Sequence, residues 1–191
     1  MSQVELFGFA PSTFVRSARM ACHLAGVSYE LSPLAFKQAS HFGLHPFGKM
    51  PVMKHGELTL FETLAIVAYI DDVFHKSQLQ PREAVPRARM WQWASAAISE
   101  LYTPLVSNLI SDAPDEAAVA AAGAGLTLLD RQLEQGAGLA GDKPTLADLL
   151  CFPMIDFALR KLGAEKAPGL AHVRAYHAHW NRTPAAEATR A

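Results

Sequence analysis

Pro46-Phe47-Gly48-Lys49-Met50-Pro51-Val52-Met53, followed a few residues on by Leu60-Phe61-Glu62-Thr63-Leu64-Ala65-Ile66, decides how this chain reads. The first segment is a loop that delivers an apolar strand through a proline, a residue tolerated at the first position of a strand. His55-Gly56-Glu57 lies between apolar runs at 52–54 and 58–60, the signal of a tight hairpin. Glu62-Thr63 then supplies an acid and a hydroxyl, both suited to the first turn of a helix. Over 63–74, Leu64, Val67, Ala68 and Asp71 recur at helical spacing, and Ile66 and Ile70 widen the apolar face.

Upstream, 4–9 reads as a strand, 12–25 as a helix closed by Gly26, and 27–31 as a second strand. Two strands joined by a helix imply a parallel βαβ unit. The stretch between that unit and Pro46 carries no regular period. Downstream, 76–86 is polar, contains Pro81 and Pro86, and reads as a linker. Beyond it strand signals fade. Helical patterns cover 87–111, 115–135, 145–162 and 169–181, with Pro153 expected to kink the third, and the tail from Pro184 expected to be loosely held. Thr145-Leu146-Ala147-Asp148 has the spacing of a capping box. The expected organisation is an α/β domain over 1–75, a linker over 76–86 and an all-helical domain over 87–191.

Half of the 191 residues are hydrophobic, ample for two packed cores. A net charge of -1 and the lack of long like-charge runs argue against a nucleic-acid binder. Cys22 and Cys151 are far apart, outside any metal-type spacing or disulfide framework, which fits a reducing compartment. Each lies among apolar residues and reads as core packing rather than as a reactive thiol. The first residues lack a basic, then apolar, leader pattern. The longest uncharged run, 117–129, is well short of the roughly 18 apolar residues of a membrane span. A soluble cytoplasmic protein is expected, with no membrane partner.

Ser12 directly follows Ala10-Pro11 at the start of the first helix. On spacing alone it reads first as an N-cap, a role serine fills often, and second as a hydroxyl placed beside a helix N-terminus where an anion would be held. Read together, Ala10-Pro11-Ser12-Thr13 with Arg16, Met50-Pro51 and Glu62-Thr63 resemble the glutathione-binding half of the cytosolic glutathione S-transferase superfamily. The serine-type members (phi- or theta-like, bacterial) are the nearest in pattern. The resemblance extends through the capping box and covers nearly the whole chain. It implies a thioredoxin-like N-terminal domain, a C-terminal helical bundle, glutathione as co-substrate, no metal, and a homodimer.

The resemblance also implies roles. Ser12 would donate a hydrogen bond to the glutathione sulfur, with Thr13 as a possible second donor. Met50 would offer its backbone to the cysteinyl part, ahead of a cis Pro51. Glu62 and Thr63 would hold the γ-glutamyl ammonium and carboxylate. Lys49 and Lys37 would reach the glycine carboxylate. Here the chain departs from the phi-like pattern, which has a His-Lys or His-Gln pair where this sequence has Phe36-Lys37. His41 and His45 are nearby substitutes, and His45 stands where Asn commonly precedes Pro-Phe-Gly. The second substrate, a small hydrophobic electrophile, would meet Pro11 and Phe14 from the first half with Met90 and Trp93 from the second, although such a stripe equally suits simple packing. The same fold also hosts glutathione-dependent isomerases, dehalogenases and non-catalytic assembly modules, which the N-terminal motifs do not separate.

Overall fold

The computed structural model describes residues 3–163 and 169–190. By compactness the chain divides into one unit of residues 1–78 with 184–191, and a second of residues 79–183.

The first unit is built on four short strands, β1 (Val4–Phe7), β2 (Tyr29–Ser32), β3 (Val52–His55) and β4 (Leu58–Phe61), ordered β2-β1-β3-β4. β1 and β2 run parallel, as the intervening helix demands, while β3 and β4 are antiparallel to their neighbours. The helix between β1 and β2 is α1 (Thr13–Ala25). It ends where Gly26 takes a φ of 66°, its N–H reaching the His23 carbonyl at 3.2 Å while the Val27 N–H reaches Cys22 at 2.9 Å, a Schellman closure. A short helix, α2 (Ala39–Leu44), occupies the stretch where the sequence shows no period. After the hairpin comes α3 (Thr63–Phe74), which packs beside α1 over the sheet. The core of this unit is Val4, Leu6, Val15, Met20, Cys22, Val52, Met53, Ile66, Val67 and Ile70, all essentially without exposed surface. This βαβαββα arrangement is the thioredoxin-like fold expected.

A last helix, α9 (Pro184–Ala188), also belongs to the first unit, where it lies along α1. The tail is therefore not loosely held. Arg16 donates to Thr189 Oγ1 (3.4 Å) and the Ala186 carbonyl (3.3 Å), and Arg19 to the carbonyls of Ala188 and Thr189 (3.3 Å each). Two guanidinium groups thus satisfy carbonyls at the C-terminal end of α9, where the helix dipole favours positive charge.

The second unit comprises α4 (Ala84–Ala96), α5 (Tyr102–Leu105), α6 (Glu116–Leu133), α7 (Leu146–Leu162) and α8 (Ala171–Asn181). α7 is its core: every residue from Leu146 to Asp156 is buried, so it is covered on all sides over that stretch. The single helix expected over 87–111 is corrected at both ends. It starts earlier because Pro86 fits within a first turn, where its missing N–H costs nothing. It breaks at a π turn, Ala97–Leu101, and ends soon after Pro104, which cannot donate to the preceding turn. Pro153 sits inside an α7 that continues past it to Leu162. The part of the expected 169–181 helix that is described begins at Ala171. Among the described residues no helix is long and apolar enough to cross a membrane.

Candidate functional site

Strand register brings the sequence motifs to one place. Phe7 pairs with Ser32 on one side and Val52 on the other, and Val52 pairs with Phe61, so these four residues form one row across the sheet. Pro51 immediately precedes Val52, Glu62 follows Phe61, and the Gly8-to-Ser12 turn follows Phe7. The N-termini of α1 and α3 consequently open at the same end of the sheet, each presenting backbone N–H groups unused within its helix.

Ser12 closes a turn by donating its N–H to the Phe9 carbonyl at 3.0 Å. Its hydroxyl accepts from the Val15 N–H at 3.4 Å, so the capping alternative raised by the sequence is realised. Capping uses only a lone pair, and the hydroxyl hydrogen is left to donate elsewhere. Thr13, the first residue of α1, is buried, and its Oγ1 has no hydrogen-bond partner among the described residues.

The Met50-Pro51 peptide bond is cis, with Pro51 buried and Met50 half-buried. Glu62 enters α3 with φ 66° and ψ 117°, a left-handed φ that a residue with a Cβ adopts at a cost of about 1–3 kcal/mol. Its side chain is exposed and makes no capping bond, so the strain serves neither packing nor the cap. Thr63 beside it is buried.

Lys37 and Lys49 both expose their side chains. Lys37 also has a left-handed φ, 59°, and its Nζ lies 5.6 Å from the centre of the Phe36 ring. His41 and His45, weighed from the sequence as side-chain substitutes at the glycine end, are instead buried, each about 1 % exposed. His41 Nδ1 accepts from the Lys37 N–H at 3.0 Å, and its Nε2 lies 2.8 Å from the Lys49 carbonyl. His45 Nδ1 accepts from the Phe47 N–H at 3.3 Å, and its ring meets Phe61 at 5.0 Å. Burial holds the His45 imidazole below its ordinary range, against the pull of Glu62 and with help from His41 and Lys49. The turn after His45 requires Gly48: its φ is 58°, and a Cβ there would stand 2.6 Å from the Phe42 ring. Neither the use of both His41 nitrogens nor the helix that carries it has a sequence signal.

The residues suggested for the electrophile differ in setting. Pro11 is exposed and Phe14 half-buried in the first unit. Met90 has no exposed surface in the second unit and is core, while Trp93 is half-buried. Phe9 and Phe36, which sequence reasoning did not single out, expose a tilted aromatic pair with centroids 5.9 Å apart, Phe9 being the residue whose carbonyl closes the Ser12 turn. Burial pushes the Cys22 thiol up to about 12 and the Cys151 thiol higher, so neither is a nucleophile. Among the described residues no three His, Cys, Asp or Glu side chains gather as metal ligands would.

Comparison with known proteins agrees with this geometry. The family "Glutathione S-transferase, N-terminal domain" matches residues 2–72, and "Glutathione S-transferase, C-terminal domain" matches residues 96–179. Glutathione S-transferase 1 of Dianthus caryophyllus is 29% identical over 181 residues, covering 86% of this chain and 81% of its own. Glutathione S-transferase 4 of Zea mays is 29% identical over 201 residues, covering 96% and 90%. A theta class glutathione S-transferase from Xanthomonas axonopodis pv. citri, solved with glutathione bound, superimposes with a TM-score of 0.83 at 25% identity, covering 99% of this chain and 97% of that one. With both domain signatures in order along the chain, and a fold to match, this protein belongs to the glutathione S-transferase superfamily.

Proposed function

We propose that the protein is a cytoplasmic, homodimeric glutathione transferase of the serine type, in which Ser12 activates the glutathione thiol for attack on a small hydrophobic electrophile. The observation that carries this reading is the meeting of two helix N-termini, a cis Met50-Pro51 bond and a strained Glu62 at one sheet end. A free thiol with a pKa of about 8.5 is only a few per cent ionised at neutral pH, and lowering that value by about two units takes roughly 2.7 kcal/mol of preference for the anion. The α1 N-terminus supplies part of that preference, and the Ser12 hydroxyl hydrogen, left over after capping, supplies another part. Met50 offers its backbone to the cysteinyl unit, Glu62 and Thr63 take the γ-glutamyl end, and Lys37 and Lys49 take the glycine carboxylate. The bound thiolate then attacks the electrophile held near Pro11 and Phe14, with proximity adding to the lowered pKa.

The test is the ultraviolet absorbance of the thiolate during a glutathione titration, about two pH units below the free thiol's pKa. The wild type should give a saturable signal. Ser12→Ala should lose most of it and slow conjugation about tenfold or more at neutral pH, with glutathione affinity nearly unchanged. An unchanged signal in Ser12→Ala would transfer the role to Thr13, whose buried hydroxyl lacks a partner. Glutathione binding without any thiolate signal in the wild type would overturn the transferase reading in favour of a carrier or isomerase. Absence of binding would leave a non-catalytic module.

A further inference from the structure

Both lysines assigned above to the glycine carboxylate are tied, through their backbones, to one buried imidazole. We propose that His41 is the positioning residue for the glycyl end of the site, holding Lys37 and Lys49 at a fixed separation as a neutral bridge; this rests on the glutathione reading above.

Lys37 N–H donates to His41 Nδ1 at 3.0 Å. An imidazole nitrogen that accepts carries no proton, so the ring's hydrogen is on Nε2, where it donates to the Lys49 carbonyl at 2.8 Å. One ring thus spans from Lys37, two residues ahead of α2, to the residue just ahead of the cis Met50-Pro51 bond. The first of these bonds falls on a residue of unusual backbone conformation. Lys37 has a left-handed φ of 59°, a conformation that a residue with a Cβ keeps only when its surroundings hold it, and the bond to His41 is a contact made by the backbone of that residue. Phe36 and Phe42 enclose the imidazole, with ring centroids at 5.3 and 6.0 Å, and its 1 % exposure keeps water from competing for either bond. The Phe42 ring is in turn seated against Gly48, next to Lys49.

Direct binding of the tripeptide by His41 is excluded by geometry, because both nitrogens are spent on backbone and the ring is buried. Its effect passes through the backbones of Lys37 and Lys49 and falls first on the part of glutathione that their side chains meet. This separates His41 from Ser12, which acts on sulfur, and from Glu62 and Thr63 at the opposite end of the tripeptide. A glutamine at 41 also offers one acceptor and one donor on a flexible stem, whereas phenylalanine offers neither.

The experiment compares glutathione with γ-glutamylcysteine, which lacks the glycine, as thiol substrates for wild type, His41→Phe and His41→Gln. His41→Phe should raise KM for glutathione about tenfold with kcat within about twofold, leave KM for γ-glutamylcysteine within about twofold, and be largely restored in His41→Gln. An equal rise in KM for both thiols would overturn the proposal by showing a general loss of order, and so would a His41→Phe enzyme that still discriminates them as the wild type does. If the wild type itself binds neither thiol, the glutathione reading fails instead. Should His41→Phe not fold, nitrogen-15 NMR of the wild-type histidines decides: the Nε2–H tautomer at His41 supports the bridge, and the Nδ1–H tautomer overturns it.

Discussion

Ser12 shows how a hydroxyl can fill one of the roles that its sequence position allowed and stay open to the other. As N-cap it accepts from Val15, and as a hydroxyl it keeps a hydrogen to give. The candidate-site residues that could be read from the sequence are those whose chemistry is local: Ser12 at a helix start, Pro51 at a strand start, Glu62-Thr63 after a hairpin. The strain at Glu62 and the spent nitrogens of His41 could not be read, because both depend on partners brought in by the fold. His45 is similar, an apparent surface histidine that burial keeps neutral. Its folded-state pKa lies below the ordinary value of about 6.5, so as pH falls the unfolded chain takes up the proton first. Its contribution to stability is thus intact above about 6.5 and falls as pH drops below that, until folded His45 itself protonates. Melting curves between neutral and mildly acidic pH should show Tm falling less steeply in His45→Asn than in the parent; parallel slopes would remove His45 from the acid response.

At the scale of elements, legibility follows how much each one depends on its own residues. The β3–β4 hairpin, α1 with its Schellman end and α3 are specified by local turn chemistry and period, and the sequence announces them. α2 is six residues long with no side-chain cap and no acid in its first turn, too short to carry a period. The π turn at Ala97–Leu101 has no residue signature of its own. α7 lies at the other extreme. The Asp148 carboxylate accepts from the Thr145 N–H (2.8 Å) and hydroxyl (2.9 Å), the Leu139 N–H (3.0 Å) and the Tyr176 hydroxyl (3.1 Å). Burial pushes that carboxyl up, and the four donors oppose it. The capping box is therefore also a junction that ties the 139 loop and α8 to the start of the core helix. Thr145→Ala should cost about 1–2 kcal/mol in urea unfolding, and Asp148→Ala more, because it strands three or more buried donors at once. Equal, small losses for both would reduce the junction to a simple cap.

At the scale of the whole molecule, the helical half expected to run to 191 gives up its last residues to the first unit. The reason is electrostatic as much as apolar. Arg16 is only about 3 % exposed and finds acceptors in α9, while Ala185 and Ala186 bury beside it. No local signal in a Pro-Ala-Ala-Glu-Ala tail foretells a partner some 170 positions away. Deleting 184–191 should destabilise the first unit by about 2–4 kcal/mol and raise amide exchange in α1, with α7 amides little changed. Uniformly raised exchange would mean that the tail supports both units alike. The anchoring of α9 has one more consequence, for the order in which the protein is made. The sheet and its helices are synthesised before α9, yet Arg16 waits for a carbonyl 170 positions downstream. The unit that is begun first is thus completed only after residues 79–183 have been made.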